Sequence, residues 1–286
     1  MSSTTTTTDV LEGVDLSGKT CLITGASAGL GIETVRALQS AGCEVVGAVR
    51  DLGKAAAVVD CDLVQLDLAD LDSVRKGAFE AGQRLPHIDL LINNAGVMAT
   101  PLTRTQQGFE LQLGTNHLGH FVWTNALLPQ LGEGSRIINL SSRGHVRSGM
   151  RWEDPHFRDE STYEKWKAYG QSKTANILFT VELARRGYTA YSLHPGVILT
   201  ELGRHLTHED SEGLAKVLPT FKTIPQGAAT TVYAAVTDGL PSGSYLEDCH
   251  VSGPINADFS EGYMDWAMDP EQAARLWDWS LEQTSV

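Results

Sequence analysis

The chain has 286 residues, of which 42% are hydrophobic and 20% are charged, as in an ordinary soluble globular protein. Its formal net charge of −13 argues against nucleic acid and anionic membranes as partners. The apolar runs fall short of the roughly 18 residues that a bilayer-spanning helix needs. The N-terminal sequence MSSTTTTTDVLEG has neither a basic start nor an apolar core, which predicts a flexible tail over residues 1–15 and no signal peptide.

From about Lys19 onward, short β-branched runs alternate with longer stretches of helical periodicity. Strands are predicted at 20–24, 44–49, 62–68, 89–94, 135–141 and 189–195, with a late strand in SYLEDCHVSG. Helices are predicted at 30–41, 70–83, 106–131, 162–186 and 270–283. Most strands are apolar throughout, as expected when both faces of a parallel sheet are covered. The pattern predicts one α/β domain, residues 16–286, with a doubly wound parallel sheet and helices on both faces.

Two polar stretches, 143–161 and 201–224, interrupt this alternation. Each follows a predicted strand, so both should lie at the carboxyl ends of the sheet, where doubly wound folds bind their ligands. We therefore predict that these two segments form the substrate side of a binding site.

The first predicted strand runs into a glycine-rich turn, CLITGASAGLGIET, and then into a helix. Gly25 permits a tight turn, Gly29 lets the backbone approach a pyrophosphate, and Gly31 allows close packing of helix on strand. The free N–H groups at the start of the helix would bind the anion. Because strand and helix flank it, the turn predicts nucleotide binding, the alternative being an ordinary glycine-rich turn. The other residues predicted to contact the nucleotide here are Ser27, Ala28 and Leu30.

The end of the second predicted strand indicates which dinucleotide is bound. An NAD site needs a carboxylate there to accept a hydrogen bond from the ribose 2′-hydroxyl group. Val49 takes that position and Arg50 follows, and a guanidinium suits a 2′-phosphate because it can donate two charge-assisted hydrogen bonds. Asp51 would favour NAD(H) if the strand ran two residues further. NADP(H) is therefore the predicted cofactor and NAD(H) the alternative; Arg50 could also be only a solvated strand end.

Polar residues also follow the third and fourth predicted strands. Asp67 could accept a hydrogen bond from an adenine amino group, or it could only cap the next helix. In NNAG, two asparagines close an apolar strand and a glycine lets the chain turn tightly over the nucleotide. The residues predicted to bind the cofactor in this region are Asp67, Leu68, Asn93, Ala95 and Gly96.

The stretch TYEKWKAYGQSKTAN contains two tyrosine–lysine pairs at helical spacing, Tyr163 with Lys167 and Tyr169 with Lys173. Hydride transfer between a carbonyl and an alcohol needs a proton donor or acceptor beside the reacting oxygen. The reference pKa of tyrosine, about 10, is too high for a base at neutral pH, but a neighbouring ammonium group favours the phenolate. Either pair could supply this chemistry.

The motifs follow one another along the chain: the glycine turn, NNAG, Asn116 in LGTNHLGHF, the SS pair, YGQSK and HPGVILT. In this order they resemble the short-chain dehydrogenase/reductase family over residues 19–286. The details NHLGHF, YGQSKTAN, YLEDC and LWDWS resemble its retinol dehydrogenase-like and WW-domain oxidoreductase-like branch. The resemblance implies a Rossmann-type fold, reversible NAD(P)-dependent oxidoreduction, and homodimers or homotetramers built through the helices at 106–131 and 162–186.

The resemblance also implies a role for each site residue. Tyr169 would be the acid/base, while Lys173 would bind the cofactor ribose and lower the pKa of the tyrosine. Ser142 would hydrogen-bond the substrate oxygen. Asn116 would hold its helix and a water molecule that connects the lysine to solvent. The residues implied to cover the nicotinamide are Pro195, Gly196, Val197 and Thr200.

Two choices between neighbouring residues follow. YGQSK matches the family pattern Y-x-x-S-K and has small neighbours, which selects Tyr169 over Tyr163. Six residues separate these tyrosines, about 600° of helical rotation, so they cannot both address one nicotinamide. Ser141 and Ser142 point to opposite faces of a strand, and the family's preference for the second serine selects Ser142.

The sequence thus predicts an NADP(H)-dependent oxidoreductase that acts on a small-molecule secondary alcohol or ketone, or an aldehyde, with a bulky and lipophilic substrate. The alternatives are an NAD(H)-dependent dehydrogenase of a specific metabolite and a non-catalytic dinucleotide-binding sensor or scaffold. No metal site is predicted, because HLTHED offers two histidines but no third ligand at motif spacing. The four cysteines show no paired short spacing, which indicates a reducing cytoplasm.

Overall fold

The structure, a computed structural model, describes residues 1–210, 212 and 221–285. Eight strands form one sheet: β1 (Thr20–Thr24), β2 (Glu44–Val49), β3 (Asp62–Gln65), β4 (Leu90–Asn93), β5 (Arg136–Leu140), β6 (Thr189–His194), β7 (Tyr245–Glu247) and β8 (His250–Val251). The helices around it are α1 (Thr7–Val10), α2 (Gly29–Ser40), α3 (Leu52–Ala56), α4 (Leu71–Arg84), α5 (Leu111–Leu113), α6 (His120–Leu127), α7 (Lys165–Arg185), α8 (Ile224–Val236), α9 (Asp265–Met268) and α10 (Pro270–Thr284). A π-helix, Gly114–Gly119, joins α5 to α6.

The strand order is β3-β2-β1-β4-β5-β6-β7-β8, with β1 to β7 parallel and β8 antiparallel to β7. From β1 the chain winds one way through β2 and β3, and then returns to β4 on the other side of β1. This confirms the predicted doubly wound α/β fold. The reversal between β1 and β4 is the topological switch point, where such sheets bind their ligands.

Side chains of the central strands alternate between two apolar layers, as the pleat of a strand requires. Cys21 and Ile23 of β1 pack on one face of the sheet in the cluster that includes α2 and α8. Leu22 points to the opposite face and packs in the cluster that contains Trp123 of α6 and residues of α4. Both faces are therefore covered, which explains why the strands read as continuous apolar runs.

The long helix predicted at 106–131 is interrupted in the structure. After the short α5, the chain widens into the π-helix and continues as α6. Close approach to other segments accompanies this change: a Cβ at Gly114 would lie 2.4 Å from Thr105 Cγ2, and one at Gly119 would lie 2.5 Å from the Leu68 carbonyl oxygen. The glycines let the helix lie against these neighbours.

Two other elements differ from the prediction. The late strand is a short antiparallel pair, β7 and β8, joined by Asp248 and Cys249 at positive φ. Helix α8 was not predicted, although its start carries a sequence signal. The Thr223 side chain accepts from the backbone N–H of Gln226, and the Gln226 side chain accepts from the backbone N–H of Thr223. This pair of hydrogen bonds is a capping box.

Within residues 1–15, the segment predicted to be a flexible tail, the structure contains the helical turn α1. Thr6 and Asp9 form a capping box at its start, and the Thr7 hydroxyl donates to Glu33 Oε1 at 2.6 Å. Val10 is 5% exposed and packs in the same apolar cluster as α2 and α8. A run of threonines reads as polar and unstructured, but the threonine–aspartate cap and one buried valine suffice to dock a single helical turn.

Helix α7 is enclosed by its own chain. Every residue from Ala168 to Leu183 is buried, and α10 lies along the helix. Trp277 of α10 packs edge-on against Phe121 and beside Phe179, and the Arg186 guanidinium lies 3.9 Å from the centre of its ring system. The surface that the family resemblance assigned to subunit contacts at 162–186 is therefore covered within one chain. A dimer or tetramer remains a prediction.

Candidate active site

A cleft of about 2250 Å³ opens at the carboxyl ends of the strands, across the switch point between β1 and β4. Ligand pockets for drug-sized molecules usually measure roughly 300–1,000 Å³, so this cleft can hold a dinucleotide together with a second molecule. Of the residues predicted from the sequence, the following line it: Gly25, Ser27, Ala28, Gly29, Leu30, Gly31, Arg50, Asp67, Leu68, Ala95, Gly96, Ser142, Tyr169, Lys173, Pro195, Gly196, Val197 and Thr200. Within the predicted 201–224 segment, residues 211 and 213–220 lie outside the described part of the chain.

At each glycine of the turn, neighbouring atoms lie too close for an ordinary side chain. Gly25 has φ +76°, and a Cβ there would lie 2.9 Å from Ala95 Cα. A Cβ on Gly31 would lie 2.1 Å from the Gly25 carbonyl oxygen. The N-cap of α2 is Ala28, whose side chain cannot accept from the first-turn N–H groups. The Gly31 N–H donates to the Ala28 carbonyl oxygen at 3.2 Å, and the N–H groups of Gly29 and Leu30 are available to an anion. This arrangement fits the pyrophosphate of a dinucleotide, with Thr200 facing Gly29 across the turn.

Strand β2 ends at Val49, as the NADP(H) prediction requires. Arg50 is exposed and lines the cleft. Asp51 does not extend the strand; it is the N-cap of α3, and its Oδ1 accepts from the Lys54 backbone N–H at 2.9 Å. Lys54 in turn forms a 2.6 Å ion pair with Glu201 from the other side of the cleft.

Asn93 does not line the cleft, and its predicted role as a cofactor-binding side chain is not supported by its position. Its Nδ2 donates to Thr124 Oγ1 at 2.9 Å and to Asn139 Oδ1 at 2.8 Å, inside the layer between sheet and helices. Its neighbour Asn94 lines the cleft instead and donates to the Thr24 carbonyl oxygen at 2.8 Å, which ties β4 to β1 at the switch point. Alternation along the strand determines which asparagine faces inward.

Asn116 is also buried away from the cleft, in the π-helix. Its Oδ1 accepts from the Val97 N–H at 2.8 Å, while its Nδ2 donates to the Val97 carbonyl oxygen and to Ser172 Oγ, each at 2.9 Å. The side chain therefore fixes the backbone that follows NNAG and connects it to α7.

Ser142, Tyr169 and Lys173 come together between β5 and α7. The side chains of Ser142 and Tyr169 lie side by side, because a Cβ built on Gly144 would be 2.7 Å from Tyr169 Cε1 and 3.5 Å from Ser142 Oγ. Ser142 Oγ accepts from the Gly144 N–H at 3.0 Å. Lys173 Nζ donates to the Leu140 carbonyl oxygen at 2.9 Å and lies 5.7 Å from the centre of the Tyr169 ring. The arrangement joins a proton donor, a second hydrogen-bonding hydroxyl and a buried amine at one wall of the cleft.

The alternatives considered from the sequence have other contacts. Ser141 Oγ donates to the Lys173 carbonyl oxygen at 2.8 Å and so holds α7 against β5. The hydroxyl of Tyr163 donates to the Thr100 carbonyl oxygen at 2.8 Å and accepts from Gln112 Nε2 at 3.1 Å, outside the cleft. These contacts support Ser142 and Tyr169 as the members of each pair that face the site.

The pKa values of the tyrosine and lysine differ from the expectation carried by the resemblance. Burial raises the pKa of Tyr169 to about 12, and the hydrogen bond from Ser142 opposes this rise only in part. Burial also lowers the pKa of Lys173 to about 7. The ammonium is directed at the Leu140 carbonyl oxygen, so burial outweighs its influence on the phenol. At neutral pH the phenol is therefore protonated, which is the form that donates a proton.

Two residues beside Ser142, Arg143 and His145, are held by partners that are distant in the sequence. His145 Nδ1 is 2.7 Å from the Ser142 carbonyl oxygen, and its Nε2 accepts from the Met264 N–H at 3.2 Å. Burial lowers the pKa of His145 to about 4, so the ring is neutral and donates through Nδ1. Arg143 pairs with the buried Glu247 at 2.6 Å. These partners lie about a hundred residues apart in the chain, and no local pattern could have connected them.

Within the described ranges no three His, Cys, Asp or Glu side chains converge as metal ligands would. In the same part of the chain, no helix combines the length and apolarity needed to cross a membrane.

Comparison with known proteins connects this geometry to a family. A family model described as short chain dehydrogenase matches residues 19–153. A short-chain dehydrogenase/reductase of Penicillium roqueforti is 37% identical over 309 residues, covering 98% of this chain and 90% of that protein. The chain is a short-chain dehydrogenase/reductase. It is accordingly an enzyme, a nicotinamide-dependent oxidoreductase.

Further similarities place this dehydrogenase/reductase within the family. Retinol dehydrogenase 11 of Mus musculus is 42% identical over 260 residues, 84% of this chain and 81% of that protein, which confirms the predicted retinol dehydrogenase-like branch. A crystal structure of an uncharacterised protein from Mycobacterium paratuberculosis is 35% identical, with a TM-score of 0.78 and coverage of 99% and 98% of the two chains. A blue fluorescent protein from a metagenomic library, solved in complex with NADPH, is 27% identical with a TM-score of 0.66, covering 81% of this chain and 96% of that one.

Proposed function

We propose that this enzyme transfers hydride between NADP(H) and a bulky, apolar secondary alcohol or ketone, or an aldehyde, with Tyr169 as the acid/base. One observation carries the proposal: the hydroxyl-bearing side chains of Tyr169 and Ser142 lie side by side in the same cleft as the glycine turn that fits a dinucleotide. A hydride donor and a proton donor can thus reach one substrate molecule.

The protein's part in carbonyl reduction is to move one proton and to stabilise the charge that develops on oxygen. A bound nicotinamide supplies the hydride. As the carbonyl carbon gains hydride, Tyr169 Oη gives its proton to the oxygen, and Ser142 Oγ donates a hydrogen bond to the same atom. The phenolate that remains is near the Lys173 ammonium and regains a proton from solvent. With a pKa of about 12, Tyr169 carries its proton at neutral pH, which is the form that carbonyl reduction requires.

The walls of the substrate side support an apolar substrate. Leu199, Phe221 and Phe259 line the cleft and are 75%, 41% and 58% exposed. Large apolar side chains left in water cost free energy that an apolar ligand would recover on binding.

The direct test is to measure consumption of NADPH with a panel of apolar ketones and aldehydes. We expect carbonyl-dependent loss of NADPH with at least part of the panel, and a slower reaction with NADH. Tight binding of NADPH by calorimetry without turnover of any carbonyl or alcohol would instead support the non-catalytic alternative.

Cofactor preference can be tested at Arg50. We expect Arg50→Gln to raise the Kd for NADPH roughly tenfold to a hundredfold, because a charge-assisted contact to the 2′-phosphate contributes about 1.5–3 kcal/mol. The Kd for NADH serves as the internal control and should stay within about twofold. Both constants are measured by fluorescence titration. Equal losses for the two dinucleotides would mean that Arg50 does not read the 2′-phosphate.

A further inference from the structure

Arg147 lies on the substrate side of the cleft, at the end of the short helical turn Arg143–Arg147. Its guanidinium carbon is 5.4 Å from the centre of the Trp166 ring system, which is itself 6.3 Å from the centre of the Tyr169 ring. The guanidinium therefore cannot be further from the catalytic ring than these two distances combined. The indole holds the cation in place by a cation–π contact.

The other described cations on this side of the cleft each have a hydrogen-bond or ion-pair partner in the chain. Arg204 donates to the Glu201 carbonyl oxygen and Lys173 to the Leu140 carbonyl oxygen, and three more are paired with carboxylates. These pairs are Arg143–Glu247, Lys165–Asp210 and Lys222–Asp248. Arg147 is exposed, and no carboxylate among the described residues forms an ion pair with it. The internal residues outside the description, 211 and 213–220, include no aspartate or glutamate.

A shortage of acidic side chains does not explain this unpaired cation, because the chain has 35 acidic residues and only 22 lysines and arginines. A planar guanidinium held at a cleft wall is well suited to a carboxylate, to which it can donate two parallel hydrogen bonds. The exposed apolar side chains of Leu199, Phe221 and Phe259 line the same cleft and suit the body of such a molecule.

We propose that the substrate is an apolar carbonyl compound bearing a carboxylate, which Arg147 binds while Tyr169 Oη addresses the carbonyl oxygen. The proposal rests on the proposed function, since it names the substrate class of the same site. It gives Arg147 the role of orienting the substrate, so that one end of the molecule is fixed and the carbonyl is presented to the catalytic hydroxyls.

The test measures binding without turnover. The enzyme is saturated with NADP⁺, which cannot reduce a ketone, and titrated by calorimetry with para-acetylbenzoate and its longer acetylbiphenyl carboxylate homologue, each against its own methyl ester. We expect at least one acid to bind on the order of tenfold more tightly than its ester, and Arg147→Gln to abolish this difference while leaving ester binding unchanged. Arg147→Lys should keep part of the difference in affinity between acid and ester. The matched control Arg158→Gln removes the same charge from an exposed position outside the cleft and should keep all of it.

Three results would overturn the proposal: acid and ester bind equally, neither binds, or Arg147→Gln weakens both by the same factor. Turnover with NADPH is measured separately on the same compounds. An enzyme that binds the acid through Arg147 but reduces no carbonyl would contradict the proposed function and leave the anion site established. An enzyme that reduces the esters as readily as the acids, with no effect of Arg147→Gln, would support the proposed function and contradict the proposed anion site.

Discussion

Tyr169→Phe is expected to lower kcat for carbonyl reduction by roughly a hundredfold to ten-thousandfold, the usual contribution of a positioned general acid. The substitution removes the only atom of this ring that can give a proton to the substrate oxygen, while the ring itself still fills its buried position. Kd for NADPH should change little, because the glycine turn is untouched. Steady-state kinetics and a cofactor titration on the same preparation measure both quantities.

Tyr163→Phe is the matched control for this experiment. It removes a hydroxyl from the neighbouring tyrosine–lysine pair, whose contacts are with Thr100 and Gln112 outside the cleft. We expect a loss of stability of about 1 kcal/mol, measured by chemical denaturation, with kcat nearly unchanged. If Tyr169→Phe kept the wild-type rate, or if Tyr163→Phe lost it instead, the proposed acid/base would be misassigned.

Gly31→Ala is expected to have the second largest effect. A Cβ at this position would lie 2.1 Å from the Gly25 carbonyl oxygen, so the start of α2 and the turn that precedes it must separate. We expect the free energy of unfolding to fall by about 1–3 kcal/mol, as for overpacking elsewhere. Affinity for NADPH should fall by roughly a hundredfold, because the first-turn N–H groups no longer converge on the pyrophosphate. Denaturation and cofactor titration give the two numbers.

Gly253→Ala provides the control for adding a methyl group to a glycine. Gly253 has no atom within 4 Å of a built Cβ, and its φ is not in the left-handed region. We expect this variant to match the wild type in stability within about 0.5 kcal/mol and in affinity for NADPH. Wild-type cofactor affinity in Gly31→Ala would show that the tight packing at this glycine is not needed to form the anion site.

The parts of the fold that could be predicted are those determined by local sequence. Strands β1 and β2 begin and end at the predicted residues because their apolar runs are bounded by polar residues and glycine. The π-helix could not be predicted, since it depends on how closely Gly114 and Gly119 approach segments distant in sequence. Helix α1 was missed because its stability comes from docking on other elements, and an isolated single turn is unstable.

The same division applies to the site. The choice of Ser142 and Tyr169 follows from their places in the family's motifs, and the structure brings the two side chains together. The direction of the pKa shift of Tyr169 was not predictable, because it depends on how much of the surrounding protein removes water from the phenol. For Asn93, strand alternation turns the side chain inward, but the sequence alone does not say at which of the two adjacent asparagines the strand ends.

Helix α10 has a consequence for the order in which the enzyme can form during its synthesis. Part of the apolar surface of α7, the helix that carries Tyr169 and Lys173, is covered by α10, which is synthesised after every strand of the sheet. A nascent chain that has already made the whole sheet still exposes this surface to water and to other chains. Until α10 has been made and has docked, the unfinished chain therefore presents an apolar surface of the kind that chaperones recognise.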